Sequence, residues 1–138
     1  MPSSRVGEVV QVPDGEAFTE RQIADIARAA KAAESQTGLN FSVFVGRSEG
    51  PPATYADRLL AACGAQAPES VVVLVDPSAR RVEVATGRSA AIRLDDRSCG
   101  LACLSMTSSF SGGDLVGGIS TGLRMLGDSF AWAREGQR

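Results

Sequence analysis

The run Val71-Val72-Val73-Leu74-Val75, closed by Asp76-Pro77-Ser78, constrains this chain more than any other segment. Five consecutive aliphatic side chains suit a strand covered on both faces, because a strand with one wet face would alternate. A turn follows, and after it Arg81, Val82, Glu83 and Val84 do alternate. That pattern predicts a partner strand with one face on the core and one turned to water or a lid. The pair reads as a hairpin of one central and one more exposed strand.

The surrounding segments supply the other layers. Val6, Val9, Val10 and Val12 suggest a short edge strand ended by the turn signature Pro13-Asp14-Gly15. Thr19 with Gln22 makes a capping box, and Phe18 is placed to staple onto Ile23, so a helix starts at Thr19. Its stripe Ile23, Ile26/Ala27, Ala30, Ala33 runs to Gly38, a left-handed stop. Asn40 to Gly46 alternates as a strand, Arg47 to Ala53 is a loop, and Thr54 can cap a helix from Tyr55 to Cys63. Strand, helix and strand between residues 40 and 75 form one βαβ unit, with parallel strands and an expected right-handed crossover.

Asp95 or Asp96 can cap a third helix running to Phe110. After a break at Ser108 to Gly113, Asp114 caps a fourth, with the stripe Leu115, Ile119, Gly122/Leu123, Leu126, Phe130. Gly117, Gly118, Gly122 and Gly127 each cost about 1 kcal/mol of helix propensity relative to Ala, which predicts close approach to another element. The polar tail, residues 131–138, is expected to fray. The whole, residues 1–138, is predicted to be a single α/β domain: a mixed central sheet of about four strands with helices on both faces.

Composition excludes several functions. A net charge of −2 and no basic stripe argue against nucleic-acid binding. No apolar run is long enough to span a membrane, and no secretory signal is visible, so a soluble, cytoplasmic protein is expected. Cys63, Cys99 and Cys103 form no even disulfide framework, and the chain has no histidine. Cys99 and Cys103, four residues apart, could be half a metal site or a redox pair. Their place in the stripe Cys99, Ala102/Cys103, Met106, Phe110 favours small buried hydrophobes. Ser105, Ser108, Ser109 and Ser111 have no histidine to serve as base, and Lys31 lies in a distant helix. Gly112-Gly113 before a helix has the look of a phosphate cradle, but Asp114 beside it repels an anion.

Four stretches in register carry a family resemblance: Val12-Pro13-Asp14; Tyr55-Ala56-Asp57-Arg58-Leu59-Leu60; Val71 to Gly87; and Phe110-Ser111-Gly112-Gly113-Asp114-Leu115-Val116-Gly117-Gly118-Ile119. Together they resemble the TPM domain family, named for thylakoid, photosystem-repair and nematode receptor-associated founders, and look most like a short actinobacterial branch of uncharacterised proteins. The resemblance implies a TPM-like α/β/α sandwich, calcium binding in some members and acid phosphatase activity in some. The family's Asn-Gly before the central strand and Gly-aromatic-Gly-Leu-Glu after its partner are replaced by Glu69-Ser70 and Ala85-Thr86-Gly87-Arg88-Ser89. An amide and a carboxylate are thereby missing, and Arg88 brings positive charge.

Topology sorts the acids into two poles. Glu69, Asp95 and Asp96, with carbonyls around Gly87 and water, could hold calcium or another divalent cation, which takes six to eight oxygens. Arg88 and Ser89 flank Gly87 there as binding candidates. At the other pole lie Asp14, Asp76 and Asp114, since a helix from Asp95 to Phe110 spans about 24 Å and carries Asp114 back toward the hairpin turn. Capping by Asp95 or Asp96, with the other solvated, is favoured over a ligand role; capping explains Asp114 more strongly still, and Pro-containing turns suit Asp14 and Asp76 by themselves. Two functions follow. One is a non-enzymatic or very weakly active interaction module meeting a protein partner through the Arg81, Glu83, Thr86 strand or at Arg88. The other is a cation-dependent hydrolase of phosphate monoesters, in which metal-bound water attacks.

Overall fold

The computed structural model describes residues 10–12 and 18–136. Strand β3 (Ser70–Asp76) is buried along its entire length because it has a strand on each side and a helical layer on each face. Strand β2 (Asn40–Val45) pairs with it in parallel, Val43 opposite Val73, and β4 (Arg81–Thr86) pairs antiparallel, Val84 opposite Val73. Strand β1 (Val10–Gln11) lies parallel beyond β2, giving the order β1-β2-β3-β4. The sheet is mixed and four-stranded, as the sequence predicts. Val6, Val9 and the turn Pro13-Asp14-Gly15 fall outside the described residues.

Alternation along β3 feeds two cores. Val71, Val73 and Val75, with Phe41, Val43 and Val45 of β2, pack under helices α1 (Glu20–Thr37), α3 (Asp96–Gly112) and α4 (Leu115–Gly136). Val72 and Leu74 point the other way, joining Ala85 and Ala56 beneath α2 (Pro52–Ala61). Helix α4 packs against both α1 and α3. Since β1, β2 and β3 step in one direction while α1 and α2 cover opposite faces, the two crossovers have opposite hands. Only one of them obeys the right-handed rule.

Local chemistry explains the helix ends. Thr19 and Gln22 form the reciprocal capping box (Gln22 N–H to Thr19 Oγ1, 3.1 Å; Thr19 N–H to Gln22 Oε1, 2.9 Å), and Gly38 closes α1 at φ 79°. Helix α2 begins at Pro52, earlier than a Thr54 cap would set, and has no side-chain cap. Proline suits the first helical turn, where an N–H would be orphaned anyway. Helix α3 continues to Gly112 before Gly113 turns left-handed, so the break is shorter than Ser108 to Gly113. Helix α4 extends to Gly136, further into the tail than expected. Residues 137 and 138 lie outside the described part.

Helix α4 buries Ile119, Leu123, Leu126 and Phe130, the predicted stripe. Its glycines bring it close to α3: a Cβ on Gly118 would lie 2.4 Å from the Ser109 Cβ, and one on Gly122 would lie 2.5 Å from the Met106 Cγ. The propensity cost is offset by that close packing. The second face of β4 is covered in part, with Arg81 at its start exposed. Helix α2 covers it over Ala85, Arg81 pairs with Glu83 at 2.7 Å, and Thr86 points to the opposite face. Among the described residues no helix is long and apolar enough to cross a membrane.

Candidate functional site

Of the residues assigned to the two poles, Asp95, Asp76 and Asp114 are engaged in caps or turns, while Glu69, Arg88, Ser89 and Asp96 are exposed. At the first, Glu69 ends a 3-10 segment, Gly64–Glu69, and is exposed. The chain after β4 runs against that segment, with Gly87 N–H donating to the Ser70 carbonyl (2.8 Å) and Ser89 N–H to the Pro68 carbonyl (2.8 Å). Gly87 is buried there, while Arg88 and Ser89 are exposed.

Asp95 caps α3, its Oδ1 accepting from Ser98 N–H at 2.9 Å. That backbone hydrogen bond, with the Ser98 side chain, lowers the Asp95 pKa. Asp96 sits exposed in the first turn. Among the described residues no three or more His, Cys, Asp or Glu side chains are grouped so as to hold a metal ion. The structure therefore does not assemble Glu69, Asp95 and Asp96 into a ligand set.

The second pole is a latch. Asp76 is 2 % exposed at the end of β3. Its carboxylate accepts from Ser48 N–H (2.9 Å), Ser78 Oγ–H (2.7 Å) and Ala79 N–H (3.1 Å). Burial pushes its pKa up, but these hydrogen bonds outweigh burial and bring it down to about 2. The carboxylate thus ties the loop after β2 to the β3–β4 turn.

Arg80, at φ 54°, closes that turn and donates to Ser111 Oγ at 3.2 Å, with its guanidinium 5.5 Å from the centre of the Phe110 ring. Asp114 accepts from Gly117 N–H at 3.0 Å and so caps α4. The arrangement brings the turn and the end of α3 together, as the predicted span of α3 requires. Asp14 lies outside the described residues.

The nucleophile candidates are equally occupied. Burial raises the Cys99 thiol to about 11, with Cys103 and the acids Asp96 and Asp95 adding to it. Burial and then Glu83 raise Cys103 to about 11, against a lowering backbone hydrogen bond from Val84. Neither is a thiolate at neutral pH, and both pack against the larger core. Ser108 and Ser109 donate back to the carbonyls of Ser105 and Met106 within α3.

One feature escaped the sequence reading. Leu101 and Leu104, one turn apart on the outer side of α3, are 50 % and 69 % exposed. No charged residue occurs from Ser98 to Gly113. Ile92 and Trp132 are also exposed, at 72 % and 76 %. The missed signal was that Leu101 and Leu104 fall off the buried stripe of Ala102 and Met106.

Comparison with known families matches residues 3–127 to the model described as Domain of unknown function (DUF5130). The chain belongs to the DUF5130 family. The likeness to TPM domains is not what this match reports, and it stays a resemblance. Comparison of the DUF5130 chain with curated proteins finds no match.

Among solved structures, the DUF5130 domain is similar to the N-terminal domain of a P. gingivalis protein (18 % identity, TM-score 0.79, covering 94 % of this chain and 86 % of that one). It is also similar to the N-terminal domain of the cg2496 protein of Corynebacterium glutamicum (17 %, 0.71, 93 % and 83 %). A third neighbour is the BA42 protein of Bizionia argentinensis (17 %, 0.72, 86 % and 85 %). At such identities the likeness shows a shared fold.

Proposed function

We propose that this DUF5130 domain is a non-enzymatic binding module that meets a protein partner through the outer face of α3. The observation that carries the reading is the pair Leu101 and Leu104, half or more exposed on a helix face without charge. An apolar, uncharged helix face is the kind of surface that protein partners cover, through anchors at helical spacing. Arg81, Glu83 and Thr86, an alternative face from the sequence, are less suited because they do not share one face: α2 packs beside Glu83 over Ala85, and Thr86 points to the opposite side of β4. Asp95, Asp76, Ser108 and Ser109 are engaged in a cap, a turn and helix carbonyls, which supports a binding role over a hydrolytic one.

A photo-cross-linking residue at Ser108, beside Leu104 on the exposed side of α3, tests the reading in cells. A discrete adduct that disappears with Leu101→Ser/Leu104→Ser is expected. An adduct pattern unchanged by those substitutions overturns it.

A further inference from the structure

We propose that the groove between α1 and α4 binds a small organic monocarboxylate, with its apolar body on a floor of alanines and its carboxylate on Arg124. The site is independent of the α3 face and lies on the other flank of α4. That helix turns Gly118 and Gly122 toward α3 and Ser120 and Arg124 toward the groove.

The groove exists because α1 and α4 touch at one place and lack filling side chains beside it. A Cβ on Gly127 would lie 3.6 Å from the Ala33 Cα and 2.5 Å from Gln36 Oε1, so the helices meet there. Gln36 Nε2 donates to Asp128 Oδ1 at 3.0 Å and links them at that end. Further back along both helices the facing residues are Ala29, Ala32 and Ser120, too small to close the gap. A space of about 360 Å³ is left between them, within the range of about 300–1,000 Å³ typical of small-molecule sites.

The charges of the wall select the ligand. They are Asp25, Arg28 and Arg124. Asp25 and Arg28 pair with each other, whereas Arg124 makes no ion pair among the described residues. Asp128, one turn beyond Arg124, is held by Gln36 and is not part of the wall. A guanidinium fork takes a carboxylate through two parallel hydrogen bonds. One free cation calls for one negative charge, and Asp25 on the same rim repels a second, which favours a monocarboxylate over a phosphate monoester. The alanine floor favours an apolar body, because only such a body gains by leaving water there.

The test is an amide NMR titration of the full chain with phenylacetate, which joins a ring to a single carboxylate. Phenylacetamide is the neutral control and phenyl phosphate the dianionic one. Saturable shifts clustered at Ala29, Ala32, Ser120 and Arg124 are expected, with a Kd of about millimolar. Both controls are expected to bind about fivefold more weakly, the scale of one partly exposed ion pair. Arg124→Gln should bring phenylacetate down to the level of its amide, and Ala29→Leu, which fills the floor, should abolish binding of both. The spectra themselves show whether each variant is folded, and the exposed Arg124 position decides if Ala29→Leu is not. Shifts that fail to saturate or that cluster elsewhere overturn the proposal. So do equal affinities for acid and amide, a phenyl phosphate that binds as tightly as phenylacetate, or an unchanged affinity in Arg124→Gln.

Discussion

A Cβ atom on Gly87 would lie 1.8 Å from the carbonyl oxygen of Ala67. The chain leaving β4 passes directly beneath the 3-10 segment that leads into β3, and two backbone hydrogen bonds clamp it there. Glycine at this position is required by proximity.

Gly87→Ala is therefore expected to destabilise the domain by about 3 kcal/mol, at the upper end for overpacking, because backbone rather than a flexible side chain must move. Gly100→Ala is the control. A Cβ there meets nothing within 4 Å, and the substitution is expected to stabilise α3 by about 0.5–1 kcal/mol. Urea unfolding of both variants checks the contrast, and equal effects would contradict it.

Asp76 should make stability fall in acid. Its pKa of about 2 in the fold lies below the ordinary 3.8, so its contribution is complete above about pH 4 and is lost as pH falls through about 2. Asp76→Ala leaves the Ser48 and Ala79 amides without their carboxylate and is expected to cost about 3 kcal/mol at pH 7. Wild type should lose stability more steeply than the variant between pH 4 and pH 2. Parallel pH profiles would show that the carboxylate is not the tie described.

Arg80 holds a left-handed backbone, which costs an L-residue about 1 kcal/mol relative to glycine, and its side chain recovers part of this on Ser111 and Phe110. Arg80→Gly relieves the backbone while losing those contacts, so near-neutral stability is expected. Arg80→Ala loses the contacts and keeps the strain. The glycine variant should be about 1 kcal/mol more stable than the alanine variant by denaturant midpoint.

Calcium is expected to leave the melting temperature where EDTA leaves it. A ligand at a hundred times its Kd would add about 2.7 kcal/mol, a shift readily seen by calorimetry. A saturable rise, lost in Glu69→Gln or Asp95→Asn, would restore the cation-binding alternative.

The elements were legible where local chemistry is self-sufficient. Thr19 with Gln22, Asp95 and Asp114 announce helix starts through their own hydrogen bonds, and Val71 to Val75 announces a doubly covered strand. The start of helix α2 was misplaced by three residues because Pro51-Pro52 reads as a loop until a helix is seen to begin on it. The candidate sites were less legible. Glu69 and Asp95 belong to one pole by topology, yet a ligand set depends on side-chain direction, which sequence spacing across a crossover does not fix.

Sequence by itself determined the order of strands and helices, the burial of β3 and the glycine-lined approach of α4, because periodicity, caps and small residues act within a few positions of the chain. Only the tertiary structure decided which faces are covered. Helix α2 went to the face of the sheet opposite α1, covering Ala85 on the β4 side that alternation left open. Helix α3 turned Ala102 and Met106 inward and left Leu101 and Leu104 in water. A short apolar-and-small helix such as α3 has more than one face it could bury, and packing against α4 and β4 selects among them.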